Sequence, residues 1–586
     1  MKKINKIIVL LLLNSITAFS QFNFQRNWGT YFGDERFELS GSKIDNDGNL
    51  YIVGSFLGTD ITSLYPFTNS TSYQQFYGGG DYDGFIVKFN SLGNIVWGTY
   101  FGGINDDQIN AIDIDDNNNL YIIGSTQSIT NIATVGAFQQ NIVGTSDAFI
   151  SKFTSSGSLI WSTYFGGNDI DLGDKITFDG LNNIYISGST NSTNLATSGV
   201  FQETKATASS FIAKYDLFGN RLWATYYGNG RLIFDLKANI NGIYVTGTTN
   251  DCPPNNSYNT YYGTANGYKP LPENCREIYL SKFNINGQRD WSSYYGGNQS
   301  EGTFKNSIGL KDDKIFLAGT SPNYTNQEVA TINTYQPNSI SPSNFIAQFN
   351  ENSARNWGTY NGNLSNSSNV FPFSHIEMSR NSNTFFNYGS TSMDNNISTT
   401  DGYLTTINSQ FSSDAYICKF TNQNTKSWGT YYGGELEERN IGFHPYENDN
   451  KFYVVGSTQS LTQIATSNGI QTTKQIFDTI NYTLQSAYNI FIAHFEPLPL
   501  SNTTFNENSF LIYPNPNNGN FTIKFNEQNI ENYSFELFDL IGKKIKTEIL
   551  SNTETTIQTA NLSKGIYVAK ITNSKNISHN SKIIVE

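Results

Sequence analysis

The side chains of this chain that could carry chemistry are carboxylates, which recur in short loops after an aromatic–glycine phrase. The set consists of Asp34, Glu35, Asp106, Asp107, Asp169, Asp171, Asp174, Glu301, Glu435, Glu437 and Glu438. Two carboxylates at a defined separation serve as the catalytic groups of most glycosidases, and carboxylate oxygens also bind cations. The sequence leaves that separation open, and a solvated acidic rim that aids solubility is the plain alternative. The candidate rim for a cation or a glycan is Asp34, Asp106, Asp107, Asp169, Asp171, Glu435 and Glu437.

Histidine and nucleophile motifs do not add a second candidate. The four His residues are His375, His444, His494 and His579, and none stands in an H-E-x-x-H motif or at metal-ligand spacing. The sequence has no G-x-S-x-G elbow and no Walker-type loop. We therefore assign no catalytic residue and no metal ligand from motifs.

One run superficially resembles a calcium loop, with acidic and amide side chains at Asp113, Asp115, Asn117 and Asn119. Such a loop needs Gly at its sixth position and Glu at its twelfth, where this chain has Asn118 and Gly124. We interpret the run as a turn and expect no cofactor, with bound calcium as the alternative.

The elements that must position these carboxylates belong to a repeat. The seven Trp residues, at positions 28, 97, 161, 223, 291, 357 and 428, each open a phrase of the form Trp-x-Thr/Ser-Tyr-x-Gly, and they are 62 to 71 residues apart. Each unit carries four strand-like runs, which in the second unit are Ile109–Ile114, Leu120–Ser125, Ala148–Phe153 and Ile160–Phe165. Asn, Asp and Gly between the runs supply turn conformations. Four antiparallel strands repeated seven times predict an all-β, seven-bladed β-propeller.

The frame of the repeat predicts how the propeller closes. The phrase at Trp28 stands alone before the first unit, and the last run, Ile490–Phe495, has no Trp strand after it. We expect the N-terminal strand to complete the seventh blade, because that pairing removes both free sheet edges. An open solenoid is the alternative. The short turns lie on one side of such a ring, and the long second-to-third loops lie with the acidic loops on the other, where binding is usual.

The phrase Tyr-Phe-Gly-Gly, a following Asp and then Gly-Asn-x-Tyr-x-x-Gly-x-Thr resemble the propeller repeat of bacterial surface proteins often labelled SBBP. The resemblance covers about residues 22 to 495 and implies a seven-bladed fold. It implies no catalytic residue, because that family's repeat carries none.

The C-terminal region reads as a separate small β domain. Strand-like runs follow from Phe510 to Val585 and suit a small β-sandwich. The region contains the motif residues Tyr513, Pro514, Asn515, Pro516, Gly519, Gly542, Gly565 and Tyr567. Their order over residues 510 to 586 resembles the type A C-terminal sorting domain of the type IX secretion system. The resemblance implies passage across the outer membrane, with the secretion machinery as partner. An ordinary accessory domain is the alternative.

The remaining domain assignments follow from local composition. Lys2, Lys3 and Lys6 precede the apolar run Ile7–Leu13, and Ala18 and Ser20 supply a cleavage site, so residues 1–20 predict a secretory signal peptide. The propeller is assigned to 21–496, a linker to 497–509 and the sorting domain to 510–586. No later segment is apolar enough to cross a membrane.

Cysteine usage fits an exported protein. Cys252 and Cys275 share one loop, and we expect them to form a disulfide, while Cys418 lies in a strand-like run and should be a buried free thiol.

Composition restricts the function classes. Aromatic residues make up 15% of the chain and charged residues also 15%, which favours strands over helices. The net charge of -13 argues against a nucleic-acid partner. We expect a secreted or surface propeller that binds a glycan or another protein without catalysis. A secreted glycosidase or lyase that uses carboxylates of the long-loop face is the alternative.

Overall fold

The computed structural model describes residues 24–58, 67–205, 209–228, 233–249, 261–273, 277–297, 306–321, 329–339, 343–362, 374–392, 396–409, 412–476, 483, 485–498, 510–526, 533–539, 543–559, 562–572 and 578–586. Every regular element within these ranges is a β-strand. The chain divides into two compact units, Met1–Pro497 and Leu498–Glu586.

The strands of the first unit recur in groups of four, with a long loop between the second and third strand of most groups. In chain order they are β1 (Phe24–Phe32), β2 (Phe37–Ile44), β3 (Leu50–Leu57), β4 (Tyr82–Phe89), β5 (Ile95–Phe101), β6 (Asp107–Ile114), β7 (Leu120–Thr126), β8 (Asp147–Phe153), β9 (Leu159–Phe165), β10 (Asp171–Phe178), β11 (Asn183–Thr190), β12 (Ser209–Asp216), β13 (Arg221–Tyr227), β14 (Ile233–Asn239), β15 (Gly242–Thr248), β16 (Ile278–Phe283), β17 (Arg289–Tyr295), β18 (Ser307–Lys311), β19 (Lys314–Ser321), β20 (Ser343–Asn350), β21 (Arg355–Asn361), β22 (Ser374–Met378), β23 (Thr384–Thr391), β24 (Asp414–Thr421), β25 (Lys426–Tyr432), β26 (Glu438–Tyr446), β27 (Lys451–Thr458) and β28 (Asn489–Pro497).

These strands form antiparallel sheets of four. Sheet I consists of β2–β5, sheet II of β6–β9, sheet III of β10–β13, sheet IV of β14–β17, sheet V of β18–β21 and sheet VI of β22–β25. Sheet VII has the order β1-β28-β27-β26 and so joins the two ends of the unit. The expected pairing is confirmed, since Phe24 lies opposite Pro497 and Phe32 lies opposite Ile490.

The sheets stack face to face, and for this reason their middle strands are apolar on both faces. In β3, for example, the seven residues from Leu50 to Phe56 are buried and only Leu57 is partly exposed, as expected for strands covered on two sides. A hydrophobic cluster lies at each junction between consecutive sheets, from I–II to VI–VII. A further cluster joins sheet VII to sheet I, where Trp28 and Ile490 pack with Phe37 and Phe85. Each of the seven sheets therefore packs on two others.

The repeated Trp fastens its sheet to a turn of the next sheet. The Nε1–H of Trp97 in sheet I donates to the carbonyl of Ser155 in sheet II at 3.0 Å, and the indole covers Gly157 at φ +89°. The same bond joins Trp28 to Ser91, Trp161 to Leu217, Trp223 to Ile285 and Trp291 to Glu351.

Trp428 shows what changes at the closure. Sheet VII has no turn between its third and fourth strands, because β28 and β1 come from opposite ends of the unit. The indole N–H of Trp428 instead donates to the carbonyl of Asp401 at 3.3 Å. Phe24 of β1 packs edge-on against the indole, with ring centroids 5.1 Å apart.

The Thr and Tyr of the repeated phrase hold the long loop of their own sheet over its outer edge. In sheet II the Thr163 hydroxyl accepts the N–H of Gln139 at 2.9 Å, and the Tyr164 N–H donates to the Gln139 carbonyl at 3.1 Å. All seven sheets make this pair of bonds, with Ser293 replacing Thr in sheet IV. The long loops therefore protect the edge strands.

The second unit contains β29 (Phe510–Tyr513), β30 (Asn520–Phe525), β31 (Tyr533–Phe538), β32 (Lys544–Leu550), β33 (Glu554–Gln558), β34 (Gly565–Thr572) and β35 (Ser578–Val585). They form a three-stranded sheet, β29-β30-β33, and a four-stranded sheet, β32-β31-β34-β35. The two sheets share one core that includes Phe521, Ile523, Phe535 and Ile571.

The cysteine assignments are resolved in part. Cys418 is a buried free thiol, as predicted from its strand. Cys252 and Cys275 lie outside the described residues, so their disulfide stays a prediction. No helix in the described part of the chain is long and apolar enough to cross a membrane.

We predict that Gly157→Ala lowers the free energy of unfolding more than Gly136→Ala. Both glycines have positive φ, +89° and +84°, so each substitution costs about 1–2 kcal/mol of backbone strain. Only a Cβ at residue 157 meets an indole, at 2.9 Å, whereas residue 136 has open space. Overpacking should therefore add about 1–3 kcal/mol at residue 157. Denaturant unfolding followed by tryptophan fluorescence measures the difference, and equal losses would contradict the role given to Trp97.

Candidate functional site

The acidic residues selected from the sequence do not form one exposed rim. Asp34, Asp107 and Asp171 are fully buried, whereas Asp106, Glu435 and Glu437 are half-buried and only Asp169 is exposed. The assignment of the three buried carboxylates to a ligand-accessible rim is therefore wrong. The reason is local, because each of them turns inward to bind backbone or side-chain groups of its own loop.

Asp34 serves an internal ion pair. Its two oxygens accept from Nε and Nη2 of Arg36 at 3.0 and 2.7 Å, and both side chains are buried. The guanidinium also lies over the Phe56 ring at 5.1 Å. A carboxylate with this partner stabilises the loop and has no oxygen directed at a ligand.

Asp107 and Asp171 hold the glycine loop in the same way. Asp107 accepts from the N–H of Gly103 at 2.6 Å and from the Ser128 hydroxyl at 2.8 Å. Asp171 accepts the equivalent bonds from Gly167 and Ser192, both at 2.7 Å. These contacts explain why an acid follows the Gly-Gly pair in the repeat.

The partly exposed members of the set are also engaged. Asp106 accepts from the N–H of Asp81 at 2.6 Å, and Asp169 from the N–H of Ile170 at 2.7 Å. Glu435 accepts from Leu461 N–H at 2.7 Å, and Glu437 accepts from the Tyr488 hydroxyl at 2.5 Å. They remain the only part of the proposed rim that solvent reaches within the described residues.

Sequence reasoning missed that some of these acids face a second buried acid across a glycine. A Cβ at Gly102 would lie 2.2 Å from Asp83 Oδ1 and 2.8 Å from Asp107 Oδ2. Gly433 separates Glu438 from Asp414 in the same way, at 2.3 Å and 3.0 Å. Burial, assisted by the facing acid, raises the pKa of Asp83 to about 8 and that of Glu438 to about 8. All four side chains of these two pairs are fully buried.

The calcium-like run is occupied by its own turn. One oxygen of Asp115 accepts from the N–H groups of Asn117 and Asn119 at 3.0 and 2.8 Å. The other accepts from the Tyr121 hydroxyl at 3.1 Å. Within the described residues no group of three acidic, His or Cys side chains is arranged to hold a metal ion.

The accessible polar cavity lies instead at the centre of the seven sheets. It is lined by the first strand of every sheet. Its volume of about 510 Å³ is within the range of small-molecule sites. Ser40 and Asn440 are exposed at its end nearest the long loops. At the other end, Arg380 of sheet VI donates to the carbonyl of Ile44 and to Asn46 of sheet I at 3.3 and 3.2 Å.

Strand register arranges residues of the first strands, several of which line the cavity, in levels. The residues opposite the repeated aromatic residue of each second strand form what we call the charged level. Its members are Lys43, Asp113, Thr177, Lys237, Gly309, Glu377 and His444. Two positions nearer the long loops lies the small-residue level, with Gly41, Ala111, Lys175, Asp235, Ser307, His375 and Gly442. The small members open the cavity.

Charge within the charged level is only partly paired. Lys43 and Asp113 form an ion pair at 3.5 Å. His444 is buried, and its Nε2 lies 2.7 Å from the Ser42 hydroxyl. Burial, with Lys43, Arg380 and Lys237 facing the ring, lowers the pKa of His444 to about 3, so the imidazole is neutral at physiological pH.

Sequence reasoning missed this cavity. Motif searches consider residues that are close in sequence, whereas the charged level takes one residue from each repeat. Aligning the seven units on the aromatic residue of the second strand would have revealed it.

In the second unit, the motif residues hold the last strand. The side chain of Asn515 donates to the Lys582 carbonyl at 2.6 Å and accepts from the Ile584 N–H at 2.8 Å. The Asn517 backbone continues the contact with Ile584 and Glu586, both at 2.8 Å. Strand β35 is thus held by β34 on one side and by this segment on the other.

The other motif residues shape the same neighbourhood. Gly519 has φ +98° and donates to the Asn517 side chain at 2.8 Å. Gly565 pairs with Val585, and the buried Tyr567 donates to the Ser563 carbonyl at 2.8 Å. Tyr513 donates to Glu554 at 2.6 Å, and the bonds before Pro514 and Pro516 are cis. Gly542 lies outside the described residues.

Comparison with protein families identifies segments of both units. Residues 96–132 and 160–196 match the SBBP family of β-propeller repeats. Residues 511–586 match the secretion system C-terminal sorting domain. That match implies secretion or a location on the outer surface, and it indicates the secretion machinery as a partner.

The individual relatives are remote. The uncharacterized WD repeat-containing protein L264 of Acanthamoeba polyphaga mimivirus is 27% identical over 209 residues, which cover 30% of this chain and 15% of that protein. Among solved structures, polysaccharide lyase Uly1 is 8% identical with a TM-score of 0.40, covering 78% of this chain and 90% of that chain. The endosialidase of phage phi92 is 9% identical with a TM-score of 0.36, covering 96% and 87%. At these scores the likenesses carry no argument about activity.

We predict that the free energy of unfolding decreases from about pH 4 to about pH 8 because of the buried acid pairs. Burial raises the pKa of Asp83 to about 8 and that of Asp107 to about 6. The folded state therefore holds protons that the unfolded chain releases near pH 4, and this stabilisation is lost as pH rises through the folded pKa values. Asp83→Asn, which stays neutral, should flatten the profile, whereas Asp116→Asn in an exposed turn should not.

Chemical denaturation between pH 4 and pH 9 provides the test. An Asp83→Asn profile parallel to that of the wild type would contradict the protonated state assigned to this pair.

Proposed function

We propose that this protein is exported through the type IX secretion system and that its first unit is a closed seven-bladed β-propeller that acts as a non-enzymatic binding or adhesion module. The observation that carries the export proposal is the match of residues 511–586 to the sorting domain. The signal peptide at residues 1–20 belongs to this proposal, because that pathway requires prior passage into the periplasm.

Three observations support the closed ring. The first unit has seven sheets of four strands, β1 completes sheet VII, and a hydrophobic cluster joins sheet VII to sheet I. An open array would leave sheets I and VII each with one uncovered face. For the second unit, two sheets around one core support the β-sandwich.

Binding is favoured over catalysis because most carboxylates of the acidic loops are engaged inside the fold. Apolar side chains, in contrast, are exposed on the long loops, although the loop backbones are pinned to the sheets. Examples are Phe76, Ile129, Val135 and Phe138, with exposed fractions from 47% to 101%. Rigid, exposed apolar groups on an exported protein suit contact with a glycan or a partner protein.

A glycan array on the full-length protein tests the binding role. Retention of specific glycans, reduced by Phe76→Ser and Phe138→Ser but unaffected by Leu92→Ser in a short turn, is the expected result. Release of shortened products from any glycan on the array would argue against a purely binding role.

The second candidate is a secreted glycosidase or lyase. The observation that favours it is that Asp235, Glu377, His375 and Tyr388 line one cavity, with the His375 and Tyr388 rings stacked at 5.4 Å. Turnover of a polysaccharide that is abolished by Glu377→Gln would support this candidate.

We predict that removal of residues 510–586 retains the folded first unit in the periplasm, because the signal peptide still acts but the sorting domain is absent. Fractionation of a host with this secretion system measures the outcome. Full-length levels of the truncated protein in the medium or on the surface would refute the export proposal.

A matched pair of variants tests the role of the last strand. Asn515→Ala removes both side-chain bonds to β35 and should reduce export, whereas Asn518→Ala in the same segment should not.

A further inference from the structure

The protein as a whole is acidic, yet its central cavity is lined by a cation, Lys237, that has no ion-pair partner among the described residues. Lys237 lines the cavity and has no hydrogen bond or ion pair with any described residue. Lys43, in contrast, is paired with Asp113 at 3.5 Å. Asp113, with a smaller contribution from Glu377, raises the pKa of Lys43 despite its burial. Within the described residues, Lys43 therefore has an ion-pair partner and Lys237 has none.

The carboxylate nearest along the strand from Lys237 is already satisfied. Asp235 accepts from the N–H of Leu236 at 2.9 Å and from the N–H of Ile308 in sheet V at 2.7 Å. Hydrogen bonds from two backbone amides stabilise the ionised form of a carboxylate and fix its position. Each oxygen of Asp235 therefore has a backbone N–H partner, and no ion pair joins Asp235 to Lys237 within the described residues.

Three cations from other sheets act on His444. The groups that face it are Lys43 of sheet I, Lys237 of sheet IV and Arg380 of sheet VI, and each disfavours a charged imidazole. The only acids of the same level are Asp113 and Glu377, both of which act on Lys43. An anion placed beside a neutral His444 would be attracted by this field.

The surroundings can also hold a polar ligand body. Gly41, Ser307 and Gly442 line the cavity two positions nearer the long loops than the charged level to which His444 belongs. Ser42, Asn110 and Asn306 line the same cavity. The amide nitrogens of Asn110 and Asn306 donate to the carbonyls of Gly173 and Gly247 at 2.8 and 3.3 Å, so their amide oxygens are the groups that can accept from a ligand hydroxyl. The turn-side end is crossed by Arg380, so entry is from the end marked by Ser40 and Asn440.

We propose that the cavity between Lys237 and His444 binds the carboxylate of a small hydroxylated molecule. Lys237 supplies the counter-charge, and the Ser42–His444 pair offers a hydrogen bond to the same carboxylate. The asparagine and serine residues of the lining bind its hydroxyl groups. This inference rests on the proposed binding role of the first unit and names a ligand class for a second place on it, separate from the long loops.

Isothermal titration of the full-length protein at pH 7 and low salt tests this assignment. The probes are glucuronate, acetate and glucose, which separate the acidic sugar, the bare carboxylate and the neutral sugar. Glucuronate should bind most tightly. Acetate binding alone would place the recognition in the carboxylate only, and would overturn the assignment of the hydroxyl-binding residues. Equal binding of glucose, or no binding of any probe, would overturn the proposal.

The variant Lys237→Met keeps the apolar stem and removes the charge. It should weaken glucuronate binding at least tenfold, as expected for loss of a charge-assisted contact. Lys451→Met removes the same charge from an exposed ion pair with Glu447 and should change the affinity less than twofold. Equal weakening by both variants would contradict a local role for Lys237.

A second readout applies if Lys237→Met folds poorly. In the wild-type protein, glucuronate should shift the imidazole nitrogen resonances of His444 and leave those of His494 unchanged. Shifts of both, or of neither, at saturating glucuronate would overturn the location. This test uses purified protein, so failure of export leaves it unaffected. A negative glycan array with glucuronate bound in the cavity would separate the two binding proposals.

Discussion

The antiparallel pairing of β1 with β28 is the constraint on which the first unit depends. It joins residues more than 450 positions apart, from Phe32 opposite Ile490 to Phe24 opposite Pro497. Without β1, sheet VII would keep three strands, and its junction with sheet I would lose Trp28 and Phe32. The cost of closing so long a loop grows only slowly with its length, and the buried contacts at two junctions offset it.

The repeated phrase performs a separate task at each of its positions. Trp donates a hydrogen bond to a turn of the following sheet, and Thr and Tyr hold the long loop of their own sheet. The backbone N–H of a glycine after the phrase donates to the buried acid that follows. Trp97, Thr163 and Asp107 are examples of the three tasks. Because the buried acids that follow the phrase bind its glycines and the neighbouring loop, these carboxylates are structural. Differences between the seven repeats are therefore tolerated in the lining of the central cavity and at the exposed tips of the loops.

Much of the fold could be predicted from the sequence, because its signals are periodic. The strands of the second unit of the repeat lie within a residue or two of the expected runs, and the orphan strand at Trp28 predicted the closure. The burial of Asp107 could not be predicted, since it depends on how Gly103 and Ser128 turn toward it. The contact of Asn515 with β35 was equally hidden, because it joins residues 67 and 69 positions apart.

The site proposed in the central cavity could not be predicted for a related reason. Lys237 and His444 occupy equivalent strand positions, opposite Tyr244 and Tyr453, yet in the sequence they look like isolated polar residues in strands. Only the packing of the seven sheets brings them to one level. The central cavity therefore depends on the pairing of β1 with β28, since an open array would separate sheet VII from sheet I.

Native-state hydrogen exchange of strand β1 tests the closure most directly. The account predicts that amides of residues 24–32 are protected as strongly as those of residues 490–497, and that both segments lose protection together as denaturant is added. Rapid exchange of residues 24–32 while β28 and the other sheets stay protected would contradict it.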